Sequence, residues 1–126
     1  MKISEVSERF DISPDTLRYY ERIGLIHPID RADNMHRRYS IDDIGWIEFL
    51  TKLRTTGMSI QQMKTYAELQ RAGDETLPER LRMLKAHGRK VEDQIAVLQE
   101  HLTMIHYKIG YYQDVVDKQM DAVPSG

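Results

Sequence analysis

Apolar residues recur every three or four positions along most of the chain, and the sequence therefore reads as a succession of amphipathic helices. Ile3, Val6 and Phe10 form a first apolar stripe, Ile12 sits at a turn, and Leu17 and Tyr20 share the apolar face of a second helix. Between the stripes, the Ser13 hydroxyl can accept from an orphan amide of the coming helix. Pro14 takes the first helical position, where no N–H is needed, and Asp15 complements the helix dipole. Two short helices about a tight turn, the second starting at a fixed point, predict a helix-turn-helix. Tyr20 belongs mainly to the core, whereas Thr16, Arg18, Tyr19 and Arg22 point away from it.

Pro28 to His36 reads as a polar hairpin with Asp30, Asp33 and Asn34 as turn formers, entered from Ile26 and Ile29 and left through Tyr39. A hairpin this short is marginal alone and is expected to lean on the helices as a wing. Ser40 with Asp43 predicts a capping box, followed by Ile44, Ile47, Leu50 and Leu53 at helical spacing with Trp46 and Phe49 beside them. Gly57 ends that helix. Ser59 with Gln62 opens a shorter one that carries Ile60, Met63, Ala67 and Leu69, so a second helical pair follows the first.

Arg71 to Leu77 breaks the pattern and is expected to be a hinge. Beyond Pro78, steps of three and four through Leu81, Leu84, Val91, Ile95, Leu98, Leu102, Ile105, Ile109, Tyr112 and Val116 predict a coiled-coil seam, interrupted at Gly88. A helix of roughly 60 Å is too long to hide its stripe against so small a head, so it needs a partner helix. The expected fold is mainly α. A winged helix-turn-helix head spans residues 1–70 with a small β wing, the hinge 71–77, a dimerisation helix 78–117 and a short tail 118–126.

Composition narrows the function. With 126 residues, 40% hydrophobic and 30% charged, there is enough for one modest core, and an enzyme with its own substrate cavity would be crowded. The formal net charge is −2, yet Arg18 to Arg38 carries five arginines against Glu21, Asp30 and Asp33, so basic character is local. The absence of cysteine removes disulfides, thiolate metal sites and thiol sensing. No signal peptide is legible and no apolar run approaches the roughly 20 residues needed to span a bilayer, so a cytoplasmic protein without a membrane partner is expected.

The chemistry suited to such a head is duplex DNA recognition. Guanidinium presents a planar, permanently charged donor fork to phosphate and guanine edges, and a tyrosine hydroxyl can donate to phosphate while its ring packs. Arg18 and Arg22 stand one helical turn apart. Thr16-Leu17-Arg18-Tyr19-Tyr20-Glu21, then Gly24-Leu25-Ile26, Arg38-Tyr39 and Leu53-Arg54-x-x-Gly57-Met58-Ser59-Ile60, resemble the MerR family of bacterial transcriptional regulators. The resemblance implies a homodimer of winged heads joined by an antiparallel coiled coil. Its target would be an inverted repeat in a promoter, bent and untwisted so that RNA polymerase, an indirect partner, finds its two elements realigned. It places Thr16, Arg18 and Tyr19 at the groove and its flanking phosphates, and Arg22, on the polar side of the same helix, is a further candidate contact. Arg37, Arg38 and Tyr39 would hold the backbone from the wing, and Arg54 would reach it from the second helical pair. Leu84, Val91, Ile95, Leu98, Leu102, Ile105, Ile109 and Tyr112 would form the dimer seam.

Gly73-Asp74-Glu75-Thr76-x-Pro78-Glu79-Arg80-Leu81 resembles a subgroup that includes aldehyde-responsive members, which read electrophiles with a thiol just before the Leu-Arg pair. Lys52 stands there, so thiol capture is chemically excluded. His87, His101 and His106 do not share one helical face, and neither a metal nor another cofactor is expected. A small organic effector, with Tyr107, Tyr111 and Tyr112 near Met104 as a candidate lining, is left open. No nucleophile with a base or phosphate-binding loop points to an enzyme. A coiled-coil adaptor with a head facing proteins shares the same pattern, and steep weakening of DNA binding by salt separates the two.

Overall fold

A computed structural model describes residues 1–31 and 37–122. The turn formers Asp33 and Asn34, and the tail beyond residue 122, lie outside the described residues. Among the described residues five α-helices follow in order: α1 (Ile3–Phe10), α2 (Pro14–Arg22), α3 (Ile41–Thr55), α4 (Ile60–Ala72) and α5 (Leu77–Asp121), with a 3-10 turn at Asp74–Thr76 before the last. Residues 1–85 form one compact unit and residues 86–126 a second.

The helix starts are set by local chemistry. Ser13 Oγ accepts from the Thr16 amide at 3.1 Å, with Pro14 at the first position of α2. Ser40 Oγ accepts from the Asp43 amide at 3.1 Å while Asp43 Oδ2 accepts from the Ser40 amide at 2.8 Å. Ser59 and Gln62 repeat this reciprocal arrangement at α4. Each box satisfies two amides that the first turn leaves without partners, worth about 1 kcal/mol per cap. Asp11, at φ 53°, ends α1 in the left-handed region, which a short polar side chain tolerates.

The core of the first unit is built from every helix of the head. Val6 of α1, Leu17 of α2, Leu25 and Ile26 of the turn after it, Ile47 and Leu50 of α3 and Met63 of α4 are fully buried together. Trp46 stacks on Tyr66 at 6.0 Å between ring centres, and Phe49 meets the same tyrosine at 5.7 Å. Tyr66 is a core residue that the apolar spacing of α4 did not reveal.

The wing is held more sparsely than an extended hairpin. Its arms meet in the isolated antiparallel bridge Arg31–Arg37, and the outgoing arm bridges Lys2 through Arg38. The Arg38 amide donates to Asp30 O at 2.8 Å and the Tyr39 amide to Met1 O at 2.8 Å. The residues ahead of α1 therefore complete the wing, a pairing across the length of the head.

The interruption expected over 71–77 is narrower in the structure. Arg71 lies in the last turn of α4, Gly73 takes φ 103°, and α5 begins at Leu77. Thr76 Oγ1 donates to Leu69 O at 2.6 Å and Arg80 Nη2 to Gly73 O at 3.2 Å, so the break has its own hydrogen bonds.

Within 86–121 the helix has no buried residue. Ile95, Leu98, Leu102, Ile105, Ile109, Tyr112 and Val116 are each at least 40% exposed. Val91 is partly covered. Leu84 departs from the expected seam, because it packs on the head core within the first unit. Leu17→Ala should lower unfolding free energy by about 2–5 kcal/mol in urea denaturation, because it empties a fully buried site shared by α1, α2 and α3; a loss below about 1 kcal/mol would contradict this packing.

Candidate nucleic-acid interface

The candidate interface begins with α2. Its apolar side is fixed by buried Leu17 and half-buried Tyr20, so Arg18, Tyr19 and Arg22 face outward. Tyr19 is 43% exposed, and Arg22 lies over its ring at 5.5 Å, which holds guanidinium and phenol as one unit. Arg18 is exposed and its Nη1 donates to Asp15 Oδ1 at 3.0 Å. Thr16 is half-buried, and its hydroxyl accepts from Ser13 Oγ at 2.8 Å. Arg18 and the Tyr19–Arg22 pair thus share the outer side of α2, oriented by local contacts, whereas Thr16 lies half-buried against Ser13 at the start of the helix.

The wing is tied to this helix through one carboxylate. Glu21 Oε2 accepts from Arg37 Nε at 2.7 Å, its Oε1 accepts from the Ile29 amide at 3.3 Å, and Arg31 Nη2 stands 3.7 Å from Oε1. The Glu21 side chain is only 12% exposed, so these contacts are poorly screened. Glu21 is a functional residue that composition counted only as a charge opposing the arginines. No sequence spacing signals it, since Arg37 lies 16 residues away.

Arg37 is consequently a structural cation whose side chain is 19% exposed, whereas Arg38 is exposed. Among the described residues no carboxylate pairs with Arg22 or Arg38. Tyr39 does not reach the surface. It is 3% exposed in the core, and its hydroxyl finds no hydrogen-bond partner among the described residues. Burial pushes the Tyr39 phenol above its usual pKa, against the opposing pull of Arg37. The ring was expected to hold DNA backbone; it packs inward because the residue opens the run into α3 and its neighbours Arg38 and Ser40 take the outward positions.

Arg54 is exposed on α3, and its Nη1 approaches Met58 O at 3.4 Å. It borders a groove of about 330 Å³ that also meets Asp11 and Ile12 of the turn between α1 and α2. The structure therefore gathers Thr16, Arg18, Tyr19 and Arg22 on one helix, and Arg37 and Arg38 on the adjoining wing. Among the described residues no group of three or more His, Asp or Glu side chains could hold a metal ion, and no helix is long and apolar enough to cross a membrane.

A helix-turn-helix head carrying a basic wing defines a DNA-binding regulator. Comparison with known proteins narrows the class. The profile of MerR HTH family regulatory proteins matches residues 1–70, and that of the MerR DNA-binding region matches residues 44–106. An HTH-type transcriptional regulator of Haemophilus influenzae is 36% identical over 110 residues, covering 87% of this chain and 82% of the relative. AdhR of Bacillus subtilis, also an HTH-type transcriptional regulator, is 43% identical over 84 residues, which are 67% of this chain and 60% of its own.

Among solved structures, a MerR family regulator from Listeria monocytogenes superposes with a TM-score of 0.84 at 38% identity, covering 96% of this chain and 92% of that one. HiNmlR, a MerR family regulator lacking the sensor domain and solved bound to promoter DNA, gives a TM-score of 0.80 at 34% identity, with 92% of each chain covered. The chain belongs to the MerR family and is a DNA-binding transcriptional regulator. Its relatives are regulators and not enzymes.

Glu21→Ala should destabilise the head by about 1.5–3 kcal/mol, since it removes the charged acceptor of Arg37 and the acceptor of the Ile29 amide. Amide hydrogen exchange at Arg38, whose N–H closes the wing onto Asp30, should accelerate with it. Unchanged protection at Arg38 would show that the wing is held by something other than this carboxylate.

Proposed function

We propose that two copies of this chain zip along α5 and present their α2 helices to an inverted repeat in promoter DNA. The observation that carries the dimer is the uncovered stripe of α5. Side chains such as Ile95, Leu98 and Ile109 are more than half exposed in a single chain. Burying each contributes about 1.5–3 kcal/mol, enough in sum to drive association. An antiparallel arrangement follows from family resemblance.

Two-fold symmetry in the protein requires two-fold symmetry in its target, with half-sites about one or two helical turns apart. In each half-site Arg18 and the Tyr19–Arg22 pair meet base edges and flanking phosphates, with Thr16 at the groove. Arg38 supplies the wing's phosphate contact. Arg37 contributes by holding the wing against α2, and Tyr39 by packing beneath it. Arg54 contacts phosphate from the second helical pair. Bending and untwisting the site costs roughly 1–6 kcal/mol, and the contacts of the wings offset that cost. RNA polymerase then responds to the altered DNA, which makes it an indirect partner. A small organic effector is compatible with this scheme, but it would have to act without a thiol, since the chain has no cysteine.

The test uses a duplex carrying the inverted repeat that the wild-type protein selects from a random-sequence library. Arg18→Ala should weaken binding to it by about 1–3 kcal/mol in fluorescence anisotropy. Wild-type affinity in that variant would remove α2 from the interface. Leu98→Asp should convert the protein to monomer in sedimentation velocity, and it should lose binding to the full repeat while retaining its folded head. A monomeric wild-type protein at micromolar concentration would sink the dimer.

A further inference from the structure

The turn that leaves α2 is fastened at successive residues. Gly24 stands at φ +82°, a conformation in which any other L-residue is strained, and its carbonyl is turned to the C-terminal end of α4. There Arg71 Nη1 donates to Gly24 O at 2.6 Å, bridging 47 residues of sequence. The next carbonyl, Leu25 O, accepts from Trp46 Nε1 of α3 at 3.0 Å. His27 Nε2 lies 2.6 Å from Oδ1 of the buried Asp43 at the start of α3.

A helix of nine residues leaves its last carbonyls without intrahelical partners, and the chain that follows must place its own polar groups. The cation from α4 stands where the negative end of the α2 dipole favours positive charge. A charge-assisted hydrogen bond is also stronger than a neutral one. Arg71 lies two residues before Gly73, where α4 gives way to the 3-10 turn. The end of α2 is thereby attached to the end of α4 by one side chain.

We infer that Arg71 is a positioning residue for DNA binding: through Gly24 O it sets how α2 is presented to the groove, without touching DNA itself. The inference rests on the reading that α2 is the recognition helix. Arg71 also borders a cavity of about 180 Å³ with Trp46 and His27, so the three fasteners meet around one small space rather than by chance along a surface.

Arg71→Ala, Arg71→Lys and Arg18→Ala are compared with wild type on the selected duplex at several salt concentrations, well below each variant's melting temperature. Arg71→Ala should bind at least about tenfold more weakly with an unchanged slope of log K against log[salt], because no phosphate contact is lost. Amide exchange at Leu25 and Ile26, both of which donate to Tyr20 O, should accelerate in the same variant. Arg71→Lys keeps a cationic donor and should recover part of the affinity, and it carries the test should the alanine variant fail to fold. Wild-type affinity in both Arg71 variants overturns the inference while leaving α2 at the groove, provided that Arg18→Ala binds weakly. A slope lowered by about 0.9 in Arg71→Ala also overturns it, since Arg71 would then be a phosphate contact. Wild-type affinity in Arg18→Ala overturns the recognition-helix reading and this inference with it.

Discussion

The Glu21 carboxylate joins the two parts that a winged head must hold in register. Its backbone belongs to α2, while its two oxygens receive the incoming arm of the wing at Ile29 and the outgoing arm at Arg37. Among the described residues the wing shows isolated bridges, and a hairpin this short is marginal alone. Its geometry relative to α2 therefore depends on this buried acceptor and on the Tyr39 ring packed in the core. Because the same helix carries Arg18, Tyr19 and Arg22, the spacing between helix and wing contacts is set inside one short segment of chain.

The local features of this fold are legible in sequence because their partners are three or four residues apart. Ser13 with Pro14, Ser40 with Asp43, and Ser59 with Gln62 mark the starts of α2, α3 and α4 where they are found. The apolar stripe of α5 is equally readable as a helical period, since that period needs no long-range partner. What escapes is long-range and polar. Glu21 with Arg37, Lys2 with Arg38, and Arg71 with Gly24 join residues whose types carry no period, and nothing in a local window says that an arginine will meet a carbonyl 47 positions earlier. Tyr39 illustrates the companion difficulty: a tyrosine next to two arginines has the composition of a contact surface, but the direction of its side chain is decided by the bridge to the residues ahead of α1.

Local charge accounting explains how a chain of net charge −2 can serve as a DNA-binding protein. Asp15 pairs with Arg18, Glu21 with Arg31 and Arg37, and Glu48 with Lys52. The Lys52 ammonium, hydrogen-bonded to Glu48, draws that exposed carboxyl below its usual pKa. The carboxylates of these pairs lower the net charge, yet they also orient cations before any partner arrives. In the proposed complex an arginine held by Asp15 would exchange one carboxylate for phosphate or a base edge, so its net gain would be smaller than that of an unpaired cation, with its placement already made. Arg22 and Arg38, with no carboxylate partner among the described residues, keep their full charge for long-range attraction.

A different constraint governs the second unit. From residue 86 to 121 the helix buries none of its side chains, although half of the exposed large apolar residues among the described residues fall between Ile95 and Ile109. Helix propensity alone gives marginal stability in water, and Gly88 and Gly110 each lower it by about 1 kcal/mol relative to alanine. Within one chain the helix therefore lacks the tertiary packing from which most helical stability comes. In the proposed dimer that stabilisation is the covering of the seam, so helix formation and association become one equilibrium and the C-terminal unit grows more stable with protein concentration. The head does not share this dependence, because Leu17, Ile47 and Met63 complete its core within one chain. In the proposed dimer the two units of a single polypeptide are thus stabilised by different means, one by intramolecular packing and the other by association.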